Sequence, residues 1–282
     1  MEDKITIKRI VGLYAIYAKL DLMWFLRDTK FALVAILADI ISNVSVVSSV
    51  YLIAIRFGGI GGMSVDEVLF MMAYSTITAG IFILFGSDNN IHISRIIGRG
   101  QLEHLFMQPL SLKTQLITSG FAPFTGSGAF IIGVILLIVA INRLQLKITF
   151  VWIIMLILYT LCTMVTIVAR SYLVSTTAFY APVAAEEISM TAIEGTWQLS
   201  TFPLSGMPGF IQIPLLTILP EGLMAWYPAL CLLGRPPLNL TKLYPLFYAL
   251  VLTITTCFIF RKGLKYYVQK GSNRYLPYGF RR

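Results

Sequence analysis

The chain has 282 residues, of which 57% are hydrophobic and only 12% are charged, and its net charge is +9. A soluble domain has too little interior to bury this much apolar side chain, so the composition excludes a soluble enzyme and predicts a polytopic helical membrane protein. The apolar runs are continuous rather than alternating, which disfavours a barrel. The basic residues flank these runs, so they indicate membrane orientation and not nucleic-acid binding.

Cysteine usage and motif content exclude several kinds of site. Cys162, Cys231 and Cys257 are scattered in apolar sequence, with no spacing typical of a metal site or a disulfide framework. The sequence contains no G-x-x-x-x-G-K-[ST]. We therefore expect this chain to hold no cofactor, and we expect no ATP site on it.

The first 30 residues are both basic and aromatic. Their basic residues are Lys4, Lys8, Arg9, Lys19, Arg27 and Lys30. Trp24 and the tyrosines that precede it are typical of a helix at a membrane interface. We predict that residues 1–30 form an amphipathic helix lying against lipid on the cytoplasmic side, with a disordered leader as the alternative.

Two apolar runs follow, and they predict spans at about Phe31–Ile55 and Val68–Gly86. The first contains Asp39 and Asn43. A carboxylate at this depth costs a few kcal/mol unless it faces protein, water or a partner. Two interpretations stay open: a structural hydrogen bond to another helix, or a place on a substrate path.

Residues 87–113 form a long polar and charged loop between two apolar blocks, and its basic residues predict a cytoplasmic location. Gly98 and Gly100 are expected to break the chain. A short helix is predicted after them, over residues 101–107. Its apolar face is spaced i, i+3, i+4, and Pro109 is its stop. The apolar face consists of Leu102, Leu105 and Phe106, and the other faces present Gln101, Glu103, His104 and Gln108.

Three more spans are predicted at about Leu116–Ile141, Ile148–Ala178 and Ile188–Ser205. Arg170 falls near the inner end of the second of these, where its side chain is expected to snorkel to the interface. The last is weakly hydrophobic and contains Glu194 and Trp197, so it must face protein or water. Glu194 and Trp197 therefore join Asp39 and Asn43 as candidates for a substrate path.

Residues 206–242 are apolar but interrupted by prolines and glycines. If they crossed the membrane once, the basic C-terminus would lie outside, against the positive-inside rule. We therefore predict a broken helical hairpin, re-entrant or interfacial, on the outer side. The last span is about Leu243–Phe260. The prediction is one all-α transmembrane domain over residues 1–282, with six transmembrane helices and both termini cytoplasmic.

Two stretches resemble the type-2 ABC exporter permeases, the ABC-2 superfamily of transmembrane subunits. In residues 95–110, a basic residue, Gly, an amide, Leu and then Pro-Leu resemble that family's first cytoplasmic loop. FPLSGMP at 202–208 and LPEGLMAWYPALCLLG at 219–234 are similar to its Pro-rich outer segment. The likeness is to the compact bacterial branch of drug-type and uncharacterised permeases, although Gln101 stands where Glu is frequent.

This resemblance implies half of an exporter in a bacterial plasma membrane. Two permease chains, as a homodimer or a heterodimer, would form the conduit, and two separate ABC ATPase subunits carrying ATP and Mg would drive it. The loop at 87–113 would be the coupling loop on which the ATPase docks. Its candidate docking residues are Arg95, Arg99, Gln101, Glu103 and His104. The substrate would be a small amphipathic compound, a peptide or a lipid-like molecule.

Two other functions are alternatives to the exporter. An ion-coupled secondary transporter would use Asp39, Glu194 and Glu221 as ion sites, but the sequence shows no internal repeat of the kind many such transporters have. A membrane-embedded enzyme would need catalytic pairs inside its spans, and both histidines lie in the one loop.

Overall fold

The structure is a computed structural model that describes residues 7–91, 93–118, 120–124, 128–188, 190, 200–235 and 242–271. All regular structure in these ranges is helical, which confirms the predicted all-α class. The helices are α1 (Ile7–Arg27), α2 (Thr29–Phe57), α3 (Val65–Ile91), α4 (Ile93–Gly98), α5 (Leu102–Phe106), α6 (Leu112–Thr118), α7 (Gly128–Leu144), α8 (Phe150–Ser175), α9 (Gly209–Thr217), α10 (Trp226–Leu232) and α11 (Tyr244–Lys270).

Four of the described helices are long and apolar enough to cross a membrane: α2, α3, α8 and α11. The pair α9–α10 passes the same test only when joined, and it is bent by 73°. The chain is therefore a multi-pass membrane protein with four such helices, or five if the bent pair is one span. The six-span topology stays a prediction, because most of the proposed span 188–205 lies outside the described residues.

The helices begin where local hydrogen-bonding groups cap them. Asp28 accepts a hydrogen bond from the backbone N–H of Phe31 at the start of α2, and Thr149 accepts one from Trp152 at the start of α8. Ser64 and Glu67 bond to each other's backbone N–H at the start of α3, which is a capping box. These contacts satisfy donors that a membrane would leave without water.

The prediction of one continuous span at Leu116–Ile141 is wrong. The helix in this region, α7, begins only at Gly128, and α6 ends at Thr118. Gly120 has a positive φ of 88°, and residues 121 and 122 are not helical. Pro123, which has no N–H, follows them. The sequence carries a signal for this break, because Gly120, Pro123 and Gly126 lie inside the predicted span.

α3 is the central helix of the bundle, with 72% of its apolar window buried, whereas α2 is only 11% buried. Glycines allow α7 to pack closely on it. A Cβ added at Gly133 would lie 2.6 Å from the backbone nitrogen of Ile77. Small residues at such crossings let two helix backbones approach, so α3 and α7 form one rigid pair.

We expect Gly133→Ala to lower the free energy of unfolding by about 1–3 kcal/mol, because the new methyl would collide with backbone that cannot move aside. Gly12→Ala in α1 is the matched control, since no heavy atom lies within 4 Å of its added Cβ. The control should be neutral or slightly stabilising. Thermal unfolding in detergent measures both, and equal stability of the two variants would contradict the packing described.

The bundle has two distinct ends. At the glycine-turn end, residues 58–62 join α2 to α3, and α8 begins after Thr149. At the loop end lie α4 to α6, the end of α8 and the end of α11. Ile93, Ile97, Leu102, Phe179 and Tyr267 pack there in one buried cluster. The loop at 87–113 is thus built into a core, and it is not a free connection between spans.

Candidate functional site

The loop at the loop end turns at Gly100. The backbone N–H of Gln101 donates to the carbonyl of Ile96, and that of Gly100 donates to Ile97. Gly100 has a φ of 72°, so these bonds form a Schellman motif that ends α4. Gly98 does not break the chain as expected, because it still belongs to α4.

Gly98 has a packing role instead. A Cβ added there would lie 2.6 Å from the carbonyl oxygen of Pro182 and would also meet the side chain of Ala185. The segment that follows α8 therefore lies directly on α4. Glycine is needed because any larger residue would separate the two.

Two arginines tie this same segment to the loop. Arg95 and Arg99 both form ion pairs with Glu186, and the Arg99–Glu186 distance is 2.7 Å. The Arg99 side chain keeps half of its surface exposed, and Glu186 keeps 39%. The structure thus brings two of the predicted docking residues together on an acidic partner that sequence reasoning did not single out for this role.

The short helix α5 matches the predicted helix at 101–107 and is held from both sides. Leu102 is fully buried in the loop-end cluster. The side-chain amide of Gln115 in α6 donates to the carbonyls of Leu105 and Leu110 at 2.8 and 2.7 Å. Sequence reasoning missed Gln115, whose only signal is an amide six residues after the proline stop at Pro109.

The polar residues of α5 and its entry face outward. Gln101, Glu103 and His104 are all exposed, as predicted from the helical spacing. The Tyr267 hydroxyl at the end of α11 donates to Glu103 Oε1 over 3.3 Å. The loop end therefore presents a small polar surface, Gln101–Glu103–His104, on a helix that is braced by α6 and α11.

Asp39 belongs to α2, and its side chain lies against the start of α7. Its Oδ2 accepts the backbone N–H of Ala129 over 3.0 Å, and its Oδ1 accepts the Asn43 side-chain amide over 2.9 Å. This satisfies one donor of a helix that begins well inside the chain's apolar region. The structural interpretation of Asp39 is thus supported: it hydrogen-bonds to another helix.

The same two side chains line a cavity of about 590 Å³ between α2, α3 and residues 201–202. Asp39 and Asn43, two of the four residues that were predicted to lie on a substrate path, therefore line the same cavity. The other two residues of that group, Glu194 and Trp197, lie outside the described residues. In the described part of the chain, no group of three or more His, Cys, Asp or Glu residues is placed to hold a metal ion.

Arg170 does not snorkel to the interface as expected. Its guanidinium lies 2.5 Å from Glu221, and the two side chains are 10% and 1% exposed. The pair joins α8 to the turn between α9 and α10. Sequence reasoning placed the two residues on opposite sides of the membrane, because it read Arg170 near an inner helix end and Glu221 in an outer segment.

The path of the α9–α10 hairpin explains this pairing. Gly206 at its entry lies against Gly61 in the glycine turn, and a Cβ added at Gly61 would be 2.6 Å from the Gly206 nitrogen. At its exit, the carbonyl of Leu232 accepts the Trp152 indole N–H near the start of α8. Its turn, at Glu221, reaches Arg170, about 30 Å along α8 from Phe150. Both ends of the hairpin therefore lie near the glycine-turn end while its turn lies deep in the bundle.

The comparison with known protein families gives one match. The family described as "ABC-2 family transporter protein" matches residues 40–271, which include α3 to α11, the loop at 87–113 and the hairpin. No curated protein matches the chain. No solved structure matches it either. The family match covers far more than half of the sequence, so this chain belongs to the ABC-2 family of transporter proteins.

Proposed function

We propose that this chain is the permease subunit of an ATP-driven exporter in a bacterial plasma membrane, powered by a separate ABC ATPase that docks on the loop at 87–113. Membrane subunits of the ABC-2 family are generally non-catalytic and normally pair with an ABC ATPase. Two permease chains, identical or homologous, would enclose the path, and two ATPase subunits would bind ATP and Mg. The loop end is then the cytoplasmic end, and both termini lie there.

One observation carries the docking proposal: the exposed polar surface Gln101–Glu103–His104 stands on a braced helix. Gln115 and Tyr267 hold α5, while Arg95 and Arg99 reach Glu186 just beyond α8. If the loop moved freely, a force applied to it would move the loop alone and would not reach the transmembrane helices. A force on α5 would pass to α8 and α11, because packed contacts move as units.

The proposed functions of the five predicted docking residues therefore divide in two. Gln101, Glu103 and His104 would contact the ATPase. Arg95 and Arg99 would carry the motion onward through Glu186. The cavity beside Asp39 and Asn43 would lie on the substrate path. An ion-coupled transporter is favoured less, because Glu221, one of its three candidate ion sites, is paired with Arg170.

The test is ATP hydrolysis by the complex of this chain with a candidate P-loop ATPase co-expressed with it. The triple variant Gln101→Ala/Glu103→Ala/His104→Ala should lower the permease-dependent hydrolysis rate by at least about tenfold, since it removes the polar contacts at the centre of the interface. Arg56→Ala/Lys147→Ala is the control, with both exposed residues at the glycine-turn end. Unchanged hydrolysis in the triple variant would sink the docking proposal.

A further inference from the structure

The cavity beside Asp39 has the size of a site for a small organic molecule. Its volume is about 590 Å³, within the range of about 300–1,000 Å³ of typical ligand pockets. Most of its wall is apolar, with Val46, Val47, Met72 and Phe202 among the lining residues. A ligand that fits it must therefore carry a sizeable apolar body.

The polar part of the cavity wall consists of side chains that carry oxygen atoms, and one of these side chains is charged. It is made up of Asp39, Ser42, Asn43, Ser75, Thr76 and Thr201. Asp39 is the one charged side chain among the described lining residues, and no Lys or Arg is among them. A carboxylate in an otherwise apolar wall favours a positively charged group and disfavours an anion.

The contacts of Asp39 leave that charge available. Among the described residues, each carboxylate oxygen accepts one hydrogen bond, from Ala129 or from Asn43, and each has a second lone pair. The start of α7 contributes only about half a positive charge, against a full negative charge on the carboxylate. The wall therefore stays net negative at Asp39, although the residue also caps a helix.

We propose that this cavity binds an amphipathic organic cation, whose ammonium-type group lies against Asp39 and whose apolar body contacts Val47, Met72 and Phe202. The inference deepens the proposed function by naming its substrate class, and as a transport step it rests on that function. Binding itself needs no ATPase, so it is measured on the permease chain alone. Failure of the cation test and failure of the ATPase test are thus separate results.

The first experiment measures the electrostatic preference of the cavity. Ser42→Cys is introduced into a full-length chain whose Cys162, Cys231 and Cys257 are replaced by Ala. The thiol is then labelled with methanethiosulfonate reagents of similar size, one with a trimethylammonium group and one with a sulfonate. Relative to a free thiol in solution, the cationic reagent is expected to be favoured by at least about tenfold, because one nearby carboxylate at an effective dielectric of about 20 favours a cation over an anion by more than this.

Asp39→Asn is the decisive variant. Asparagine still offers an oxygen to the N–H of Ala129, so α7 stays capped while the charge is removed. The preference for the cationic reagent should then fall to that of the free thiol. Ser49→Cys, about 10 Å further along α2, should show a smaller preference with little dependence on Asp39. Equal labelling by both reagents at Ser42→Cys, or no labelling by either, would overturn the proposal.

A protection experiment tests ligand binding with a defined probe. Tetraphenylphosphonium should slow labelling of Ser42→Cys by the neutral methyl methanethiosulfonate, and Asp39→Asn should reduce this protection by about tenfold. Triphenylphosphine oxide, an uncharged molecule of similar bulk, should protect weakly in both backgrounds. Equal protection by the two compounds would show an apolar pocket without charge selection and would overturn the inference.

Discussion

Glu221→Gln is expected to lower the free energy of unfolding by about 3–5 kcal/mol, because it leaves the Arg170 guanidinium buried without its counter-charge. The two side chains are 10% and 1% exposed, so little water reaches either of them. The Arg170 Nη1 and the Glu221 Oε2 make no hydrogen bond to another described residue. Removing the one close contact between the two therefore leaves a buried charge with very little compensation.

Thermal unfolding in detergent measures this effect, with a thiol-reactive dye as the probe. Cys162 and Cys231 are buried and become reactive when the bundle opens, while exposed Cys257 sets the baseline. Asp66→Asn is the matched control, because it removes one acid from an exposed ion pair with Arg143. The control should cost no more than about 1 kcal/mol.

A double variant separates the ion pair from the packing of the hairpin. Arg170→Met/Glu221→Leu replaces both charges with apolar groups, so no unpaired charge stays buried. It should recover most of the stability lost in Glu221→Gln, as buried pairs exchanged for apolar residues often do. If Glu221→Gln unfolds at the same temperature as Asp66→Asn, the hairpin turn does not lie against α8 at Arg170.

Glu186→Arg is expected to abolish most permease-dependent ATP hydrolysis in the complex, with a loss of at least about tenfold. The change puts a third positive charge beside Arg95 and Arg99, and like charges in direct contact cost several kcal/mol. The loop would then separate from the segment that follows α8. An ATPase bound to α5 would then no longer be connected to α8.

The neighbouring acid provides the control for this prediction. Glu187→Arg makes the same charge change one residue later, on an exposed side chain with no ion pair to another described residue. It should leave hydrolysis within about twofold of the unchanged complex, as is usual for an exposed substitution. Arg95→Glu/Arg99→Glu combined with Glu186→Arg should restore activity. An equal loss of ATP hydrolysis in Glu186→Arg and Glu187→Arg would show that the ion pairs of Glu186 do not couple the loop to α8.

Much of the fold could be predicted from hydropathy. The runs at Phe31–Ile55, Val68–Gly86 and Ile148–Ala178 correspond to α2, α3 and α8, and the helix at 101–107 corresponds to α5. Each prediction rests on local sequence, either an apolar run or a helical spacing closed by a proline. The break before α7 was missed, because hydropathy merges the apolar residues on its two sides into one span, while its signal lies in Gly120, Pro123 and Gly126.

The pairings between distant parts of the chain could not be predicted. Glu221 meets Arg170, and Glu186 meets Arg95 and Arg99, only after the helices have packed. A single sequence shows that each charge needs a partner but not which partner it has. For the same reason, the sequence could not predict how deeply the α9–α10 hairpin enters the bundle. That depth follows from contacts with residues far along the chain, among them those of Gly61, Trp152 and Arg170.

Photo-crosslinking shows whether an ATPase docks on α5. A benzophenone amino acid replaces His104 in the full-length chain co-expressed with the candidate ATPase, and a second protein carries it at Phe57. Phe57 is 77% exposed at the glycine-turn end. Illumination should join the ATPase to position 104 and not to position 57. Capture at both positions, or at neither while the two proteins copurify, would contradict the account.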